Sequence, residues 1–236
     1  MERLLPKSLP VLAHYELAAD YLPIEPVGGD FYNIELIDPR TLFLMLTDVS
    51  GHGLPAALVM ATAKMAFDRN IRERRTISQV LAGVNSELCA AIKTEHYLTA
   101  FVGVLDLETG LLRYCRVGHP YPLLIRGRDG SVEWLESHGG FFLGMFPGSV
   151  YEENQVTLES GDLLFVYTDG ITETMNANEV LYGRGRLEKV IQNCGTKPLH
   201  EILRAVQADR ERFAEGNPTE DDISAFALRR RPTVAG

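Results

Sequence analysis

The chain has 236 residues, 45% of them hydrophobic, and a formal net charge of −9. This length allows one domain with a substantial core, while the acidic balance argues against nucleic acid or anionic lipid as a partner. Three scattered cysteines, none in a Cys-x-x-Cys pair, indicate neither a disulfide framework nor a zinc finger.

The start of the sequence lacks an apolar segment long enough for a signal peptide. The longest apolar run, from Leu54 to Ala63, stops at Lys64 and is too short to span a membrane. We therefore expect a soluble, cytoplasmic protein without membrane insertion.

The first part of the chain predicts strands. Strand-like sequence begins at Tyr15, and two strands over 31–37 and 41–47 flank a turn at Asp38-Pro39-Arg40. Such a turn between two apolar runs is typical of a β-hairpin.

Two helices are predicted next. Residues 56–67 are apolar nearly all round, which indicates a buried helix with Pro55 at its first position. Thr76 and Gln79 have capping-box spacing, and the apolar residues that follow recur at helical intervals as far as Ile92.

The rest of the chain predicts further hairpins, then helices. The hairpins pair 98–105 with 111–117, 123–126 with 131–135, and 156–158 with 163–167. Helices over about 184–193 and 198–214 precede a last strand over 223–229, and the charge runs 209–212 and 229–231 are predicted to be solvated surface. Hairpins without βαβ alternation predict an α+β sandwich of mainly antiparallel sheets.

Aspartates stand at the ends of several predicted strands. They are Asp30, Asp48, Asp169 and the pair Asp221-Asp222. Each alone is as well explained by an ordinary turn, so the prediction depends on the ordered set. Carboxylates that converge at a sheet rim repel one another unless cations neutralise them, and hard oxygen ligands favour Mg²⁺ or Mn²⁺ over zinc.

The ordered motifs resemble a known family. They are Gly28-Gly-Asp-Phe-Tyr, Asp48-Val-Ser-Gly-His-Gly, Gly118-His-Pro, Leu143-Gly, Tyr167-Thr-Asp-Gly-Ile-Thr-Glu and Asp221-Asp-Ile-Ser. Together they resemble the bacterial PP2C-type (PPM) serine/threonine phosphatases, in particular the sporulation stage II protein E and RsbU branch. The resemblance runs from about residue 6 to about residue 229.

The resemblance implies a PP2C-like sandwich of two antiparallel sheets flanked by helices, and a metal-dependent protein serine/threonine phosphatase. It implies that Asp48 bridges two divalent cations, Mn²⁺ or Mg²⁺, and that the carbonyl of Val49 ligates one of them. Asp169 and Asp221 would bind the other cation, with Asp30 nearby, directly or through water. Asp48, Asp169 and Asp221 are thus the implied catalytic residues, and water activated by the metal would attack phosphorus in line.

Some positions depart from the family pattern. Arg116-Val117 replaces the usual Asn-Ala before Gly-His-Pro, which implies altered packing or a basic side chain near the site. Asp222 is the less expected ligand of its pair, and no arginine is identified for the substrate phosphate. His52 is expected to have a conformational role rather than to transfer protons, and His119 to be structural.

The resemblance also implies an organisation and partners. Residues 1–12 would end a linker helix, 13–230 would form the phosphatase domain, and 231–236 a tail. It implies an upstream sensor domain or activator protein, and as substrate a phosphorylated STAS-domain anti-sigma-factor antagonist in a partner-switching pathway. A homodimer fits such linkers, although no heptad here indicates one.

Three other classes of protein are alternatives to this interpretation. A cysteine phosphatase needs Cys-x₅-Arg, and none of the three cysteines has an arginine six residues later. A diguanylate cyclase, suggested by Gly28-Gly-Asp-Phe, would need a further acidic residue and a βαβ core. A catalytically silent PP2C-like regulatory binding module stays open, but the full set of aspartates favours an enzyme.

Overall fold

The computed structural model describes residue 6 and residues 8–25, 28–51, 53–73, 76–92, 96–137 and 139–232. The elements, in chain order, are β1 (Tyr15–Leu22), β2 (Phe31–Asp38), β3 (Thr41–Val49), α1 (Gly53–Arg72), α2 (Ile77–Ala91), β4 (Leu98–Asp106), β5 (Leu111–Val117), β6 (Leu123–Ile125), β7 (Val132–Trp134), β8 (Asn154–Thr157), β9 (Leu163–Tyr167), α3 (Asp169–Thr172), α4 (Arg184–Cys194), α5 (Leu199–Ala214) and β10 (Ile223–Arg230). Within these described ranges, no helix combines the length and apolarity needed to cross a membrane.

The chain divides into two compact units. The first takes its described residues from Met1–Ser8, Glu25–His119 and Ser137–Thr157, and the second from Leu9–Ile24, Pro120–Glu136 and Leu158–Gly236. Each unit contains one five-stranded sheet, and pairing between the named strands is antiparallel throughout. The predicted boundaries at residues 12 and 230 stay a prediction.

The sheet of the first unit has the order β2-β3-β4-β5-β8. Its central strands β3 and β4 are buried along nearly their whole length, as their continuous apolar sequence indicates. The predicted hairpins β2–β3 and β4–β5 are confirmed.

Helices α1 and α2 share the core of the first unit with this sheet. The predicted capping box is confirmed, since Thr76 Oγ1 accepts from Gln79 N and the Gln79 side chain accepts from Thr76 N.

Two predictions for α1 are wrong. It begins at Gly53, so Pro55 is its third residue, a position whose N–H needs no acceptor in the helix. It is also not buried all round, because a helix presents only one stripe to its sheet, and within 56–67 this leaves Leu58 62% exposed.

The sheet of the second unit has the order β1-β10-β9-β6-β7, and α4 and α5 share its core. The predicted hairpin β6–β7, both helices and the last strand are confirmed.

The charge runs 209–212 and 229–231 are not simply solvated, which corrects the prediction. Asp209 and Arg210 are buried because they lie on the inner face of α5, and Arg229 pairs with Glu16 of β1.

The predicted hairpin of 156–158 with 163–167 is wrong. Strand β8 pairs with β5 in the first unit, whereas β9 pairs with β6 and β10 in the second. The turn sequence between them folds instead around the buried Asp162, which accepts from Arg126 Nη1, Gly127 N and Glu159 N at 2.8–2.9 Å. These bonds hold the segment against the β6–β7 turn, a partner that the local sequence does not reveal.

Candidate metal centre

Asp30 and Asp48 lie together at one rim of the first unit. Asp48 is the penultimate residue of β3, and Asp30 directly precedes β2. Phe31 is paired with Thr47, so continuing this antiparallel register by one residue places Asp30 beside Asp48. Both aspartates are buried.

The backbone before Asp30 passes close to the predicted carbonyl ligand. A Cβ on Gly29 would lie 3.0 Å from Val49 O and 3.3 Å from Val49 Cβ, closer than a side chain usually comes. Because Gly29 has no side chain, the segment before Asp30 can approach Val49 this closely. Gly51 follows with a φ of +83°, which glycine adopts readily, while His52 lies outside the described residues.

Asp169, Asp221 and Asp222 lie at a rim of the second unit. Asp169 starts α3 one residue after the end of β9, and the other two directly precede β10. The strands are joined at this rim by the bonds Thr168 N to Ser224 O (2.9 Å) and Ser224 N to Thr168 Oγ1 (3.0 Å).

The carboxylates of this rim repel one another. The pKa of Asp221 is raised to about 6, first by burial of its carboxylate and then by the charges of Asp169, Asp222 and Glu173. The carboxylate of Asp221 is buried among its neighbours, although the residue as a whole is exposed. The pKa of Asp169 is raised by burial, and that of Glu173 by burial and by Asp169. Such a cluster favours cations or protons.

Asp221 and Asp222 have different surroundings. Asp222 is buried, and its Oδ1 accepts from Ile24 N at 2.9 Å. Its own N–H donates to Asp221 Oδ1 at 2.8 Å. Asp222 is therefore engaged in holding the fold, whereas Asp221 borders a cavity of about 240 Å³ with Glu173 and Thr219.

The donor chemistry fits hard divalent cations. Asp169 Oδ1 is buried and has no hydrogen-bond partner in the described part of the chain, an arrangement that a bound cation would relieve. Carboxylate and carbonyl oxygens are the ligands that Mg²⁺ and Mn²⁺ prefer. No three His, Cys, Asp or Glu side chains among the described residues form a ready metal cluster, so the fit depends on this chemistry.

Arg116 and His119 participate in packing. The guanidinium of Arg116 donates to His119 O at 2.6 Å and to Ser137 O at 2.8 and 3.1 Å. The ring of His119 is buried, with Nδ1 2.9 Å from Thr99 Oγ1. Of the two expectations for Arg116, the contacts favour altered packing.

Two residues at the second rim were missed by sequence reasoning. Glu173 is part of the motif that begins at Tyr167, and that membership could have drawn attention to it. Arg210 is buried in α5 and reaches the segments that carry Asp169 and Asp221. Because Arg210 belongs to the charged run 209–212, the sequence predicted that it would be solvated.

The sequence matches the family described as "Stage II sporulation protein E (SpoIIE)" over residues 38–231. It is 30% identical to Protein IcfG of Synechocystis sp., over 97% of this chain and 40% of IcfG. It is 25% identical to the phosphoserine phosphatase RsbU of Bacillus subtilis, over 98% of this chain and 68% of RsbU. The chain thus spans well under half of IcfG and about two thirds of RsbU.

Solved structures show the same fold. The RsbU and RsbW domains of Rv1364c from Mycobacterium tuberculosis match with a TM-score of 0.82 and 28% identity, over 98% of this chain and 64% of that one. More distant fold neighbours include RsbX in complex with magnesium (16% identity, TM-score 0.69) and the catalytic domain of PstP with two manganese ions (13%, 0.64).

These matches confirm the predicted α+β fold class, with two antiparallel sheets and flanking helices. The match to the family model covers most of the chain, and RsbU and Rv1364c agree with it. The chain belongs to the SpoIIE family, and it is similar over nearly its whole length to the phosphoserine phosphatase RsbU.

Proposed function

We propose that this chain is a metal-dependent protein serine/threonine phosphatase that hydrolyses phosphoserine or phosphothreonine with water. The observation that carries the proposal is the buried Asp169 Oδ1, which lacks a partner among the described residues and lies in a rim of mutually repelling carboxylates. The name of RsbU, a phosphoserine phosphatase, supports the same reaction.

The proposed ligands are those that the family resemblance implies. Asp48, the carbonyl of Val49, Asp169 and Asp221 would hold two divalent cations, with Asp30 nearby, directly or through water. When bound, the cations supply an acidified water and offset charge on the phosphoryl oxygens. The strand ends keep the carboxylates on a rigid base, so that little reorganisation accompanies the reaction.

The magnesium in RsbX and the manganese in PstP, two fold neighbours, support divalent-metal dependence. We propose Mn²⁺ or Mg²⁺ for this chain, because its ligand set consists of oxygen atoms. RsbX and PstP share the fold at low identity, so the assignment depends mainly on the aspartates of this chain.

We propose a phosphorylated STAS-domain protein as the substrate, within a partner-switching pathway. Its support is the likeness to RsbU and to the RsbU and RsbW domains of Rv1364c. We also propose an upstream sensor domain or activator, which the greater length of RsbU and IcfG supports. The homodimer is proposed on the family resemblance alone.

The alternative is a catalytically silent regulatory module of the same fold. It predicts neither metal-dependent turnover nor sensitivity to the aspartates. A single assay on the purified chain therefore separates it from the enzyme.

The test is hydrolysis of p-nitrophenyl phosphate with Mn²⁺ and with chelator. We expect turnover that needs metal and is lost in Asp48→Asn and Asp169→Asn. Asp68→Asn is the matched control, because Asp68 pairs with Lys64 on α1 and belongs to neither rim. Turnover that persists with chelator, or in both rim variants, would refute the proposal, and so would a chain that neither turns over nor binds Mn²⁺.

A further inference from the structure

Arg210 is a buried cation on α5. Its side chain projects from α5, and the residue is only 2% exposed. In the described ranges no carboxylate forms an ion pair with it, and burial lowers the pKa of its guanidinium. A charge is rarely buried in this way, because its desolvation is unfavourable unless other groups compensate.

The compensation comes from neutral oxygens on three segments. Nη1 donates to Thr174 Oγ1 at 3.4 Å and to Thr219 Oγ1 at 3.1 Å, and Nε donates to Gln207 Oε1 at 3.2 Å. Gln207 is on the same helix as Arg210, but the two threonines are remote in sequence. One nitrogen therefore joins two separate parts of the chain.

Both threonines belong to segments that carry proposed metal ligands. Thr174 is five residues after Asp169, and its hydroxyl donates to Gly170 O at 2.7 Å, so it also restrains the first turn of α3. Thr219 is two residues before Asp221. Both threonines line the 240 Å³ cavity that Asp221 borders, and Arg210 contacts them.

Other contacts of the Asp221 segment lie on either side of Thr219. Asn217 Nδ2 donates to Met175 O at 3.2 Å. At the other end Asp222 Oδ1 accepts from Ile24 N and Gly170 packs against Asp222 O, while residues 215–218 and 220–221 are exposed. A buried donor shared by both segments is well placed to fix the distance between Asp169 and Asp221.

We propose that Arg210 is a positioning residue, which holds Asp169 and Asp221 as a preformed pair by joining Thr174 to Thr219. It touches neither substrate nor metal. The inference rests on the proposed metal-dependent function and adds a residue for which the sequence pattern gave no role.

The test compares Arg210→Met, which keeps an unbranched stem but removes the donors, with Arg210→Lys, which keeps a charge and a donor. The readouts are the Mn²⁺ dissociation constant by calorimetry, and kcat and KM for p-nitrophenyl phosphate, at a temperature where circular dichroism shows every variant folded. Loss of a group that orients metal ligands typically weakens metal affinity or activity about 10- to 100-fold. We expect a loss of this size in Mn²⁺ affinity and kcat for Arg210→Met, with partial rescue in Arg210→Lys.

Two controls separate positioning from stability. Arg204→Met removes an exposed arginine of the same helix, and Val206→Ala destabilises the buried face of that helix. We expect both to keep wild-type Mn²⁺ affinity, although Val206→Ala lowers the unfolding midpoint. An equal loss in Val206→Ala, or wild-type affinity and kcat in Arg210→Met, would overturn the inference.

Thr219→Val keeps the test decisive if Arg210→Met does not fold. It removes one acceptor at nearly constant volume, and wild-type Mn²⁺ affinity in this variant would also overturn the inference. If the wild type shows metal-dependent turnover while the Arg210 and Thr219 variants match it, only the positioning role fails. If the wild type neither binds Mn²⁺ nor turns over, the proposed function fails and the inference with it.

Discussion

Gly170 follows a proposed metal ligand at a point where the chain has no room for a side chain. Its added Cβ would lie 2.1 Å from Asp222 O. We expect Gly170→Ala to lower the free energy of unfolding by about 1–3 kcal/mol, as overpacking does, and to weaken Mn²⁺ binding. Urea unfolding and calorimetry measure the two effects.

Gly185→Ala is the matched control. A Cβ there would meet nothing within 4 Å, and Gly185 lies in α4, where alanine is the better helix former by at most about 1 kcal/mol. We expect this variant to be as stable as the wild type or slightly more stable. A Gly170→Ala protein that behaved in the same way would show that the close approach does not constrain this rim.

The raised pKa of Asp221 makes a prediction about pH. Because this pKa is about 6 without metal, a cation must displace a proton from Asp221 below that pH. We expect Mn²⁺ affinity to fall by about tenfold per pH unit below about 6 and to level off above it. In the metal-free protein the sign is opposite, since a raised carboxylate pKa stabilises the fold at low pH and this stabilisation is lost as pH rises through 6.

Calorimetric titrations between pH 5 and 7.5 test this dependence. Asp221→Asn should bind Mn²⁺ more weakly at every pH and lose the inflection near 6. An inflection that persists in Asp221→Asn would assign the proton to another group.

Helix α5 contacts the rest of the second unit through Asp209 as well as through Arg210. Asp209 accepts from Arg186 Nε at 2.7 Å, from Arg212 Nη2 at 3.0 Å and from the Tyr182 hydroxyl at 3.0 Å. These contacts, the hydrogen bond from Arg186 first, lower the pKa of Asp209. The carboxylate thereby connects α5 to α4 and to the segment before α4.

We expect Asp209→Asn to lower the free energy of unfolding at pH 7 by about 1.5–3 kcal/mol, the usual contribution of charged hydrogen bonds. A lowered carboxylate pKa stabilises the fold above the unfolded value of about 3.9, and this stabilisation is lost as pH falls through the folded pKa. The difference between wild type and variant should therefore narrow towards pH 3. Urea unfolding at both pH values tests this, and a difference that stays constant would exclude the charge as its cause.

Hairpins were predictable where the turn and both strands were neighbours in sequence, as with β2–β3 and β4–β5. The partners of β8 and β9 were not, because they depend on the remote bonds of Asp162 to Arg126 and Gly127. Arg210 was missed for a related reason. In sequence, an arginine that donates to buried hydroxyls cannot be distinguished from one that donates to solvent.

At the scale of the whole molecule, the formal charge of −9 includes carboxylates that the proposed cations would neutralise. Ligand that binds only the folded state at 100 times its dissociation constant adds about 2.7 kcal/mol of stability. For a chain of this size that corresponds to a rise in Tm of about 5–10 °C. We expect Mn²⁺ to produce this rise in the wild type but not in Asp48→Asn.

Differential scanning calorimetry with Mn²⁺ and with chelator measures the effect. Zn²⁺-free buffers exclude stabilisation by adventitious metal. The Asp68→Asn control shows whether removal of any one negative charge has the same effect on Tm. An equal rise in Asp48→Asn would place the stabilising cation elsewhere on the protein.

The most direct test of a two-cation centre is the number of Mn²⁺ ions bound per chain, measured by calorimetric titration at pH 7.5. We expect two ions for the wild type, loss of tight binding in Asp48→Asn because a ligand proposed for both cations is gone, and one ion or fewer in Asp169→Asn. A wild-type chain that binds no Mn²⁺, or Asp48→Asn and Asp169→Asn variants that still bind two ions each, would contradict the proposed centre.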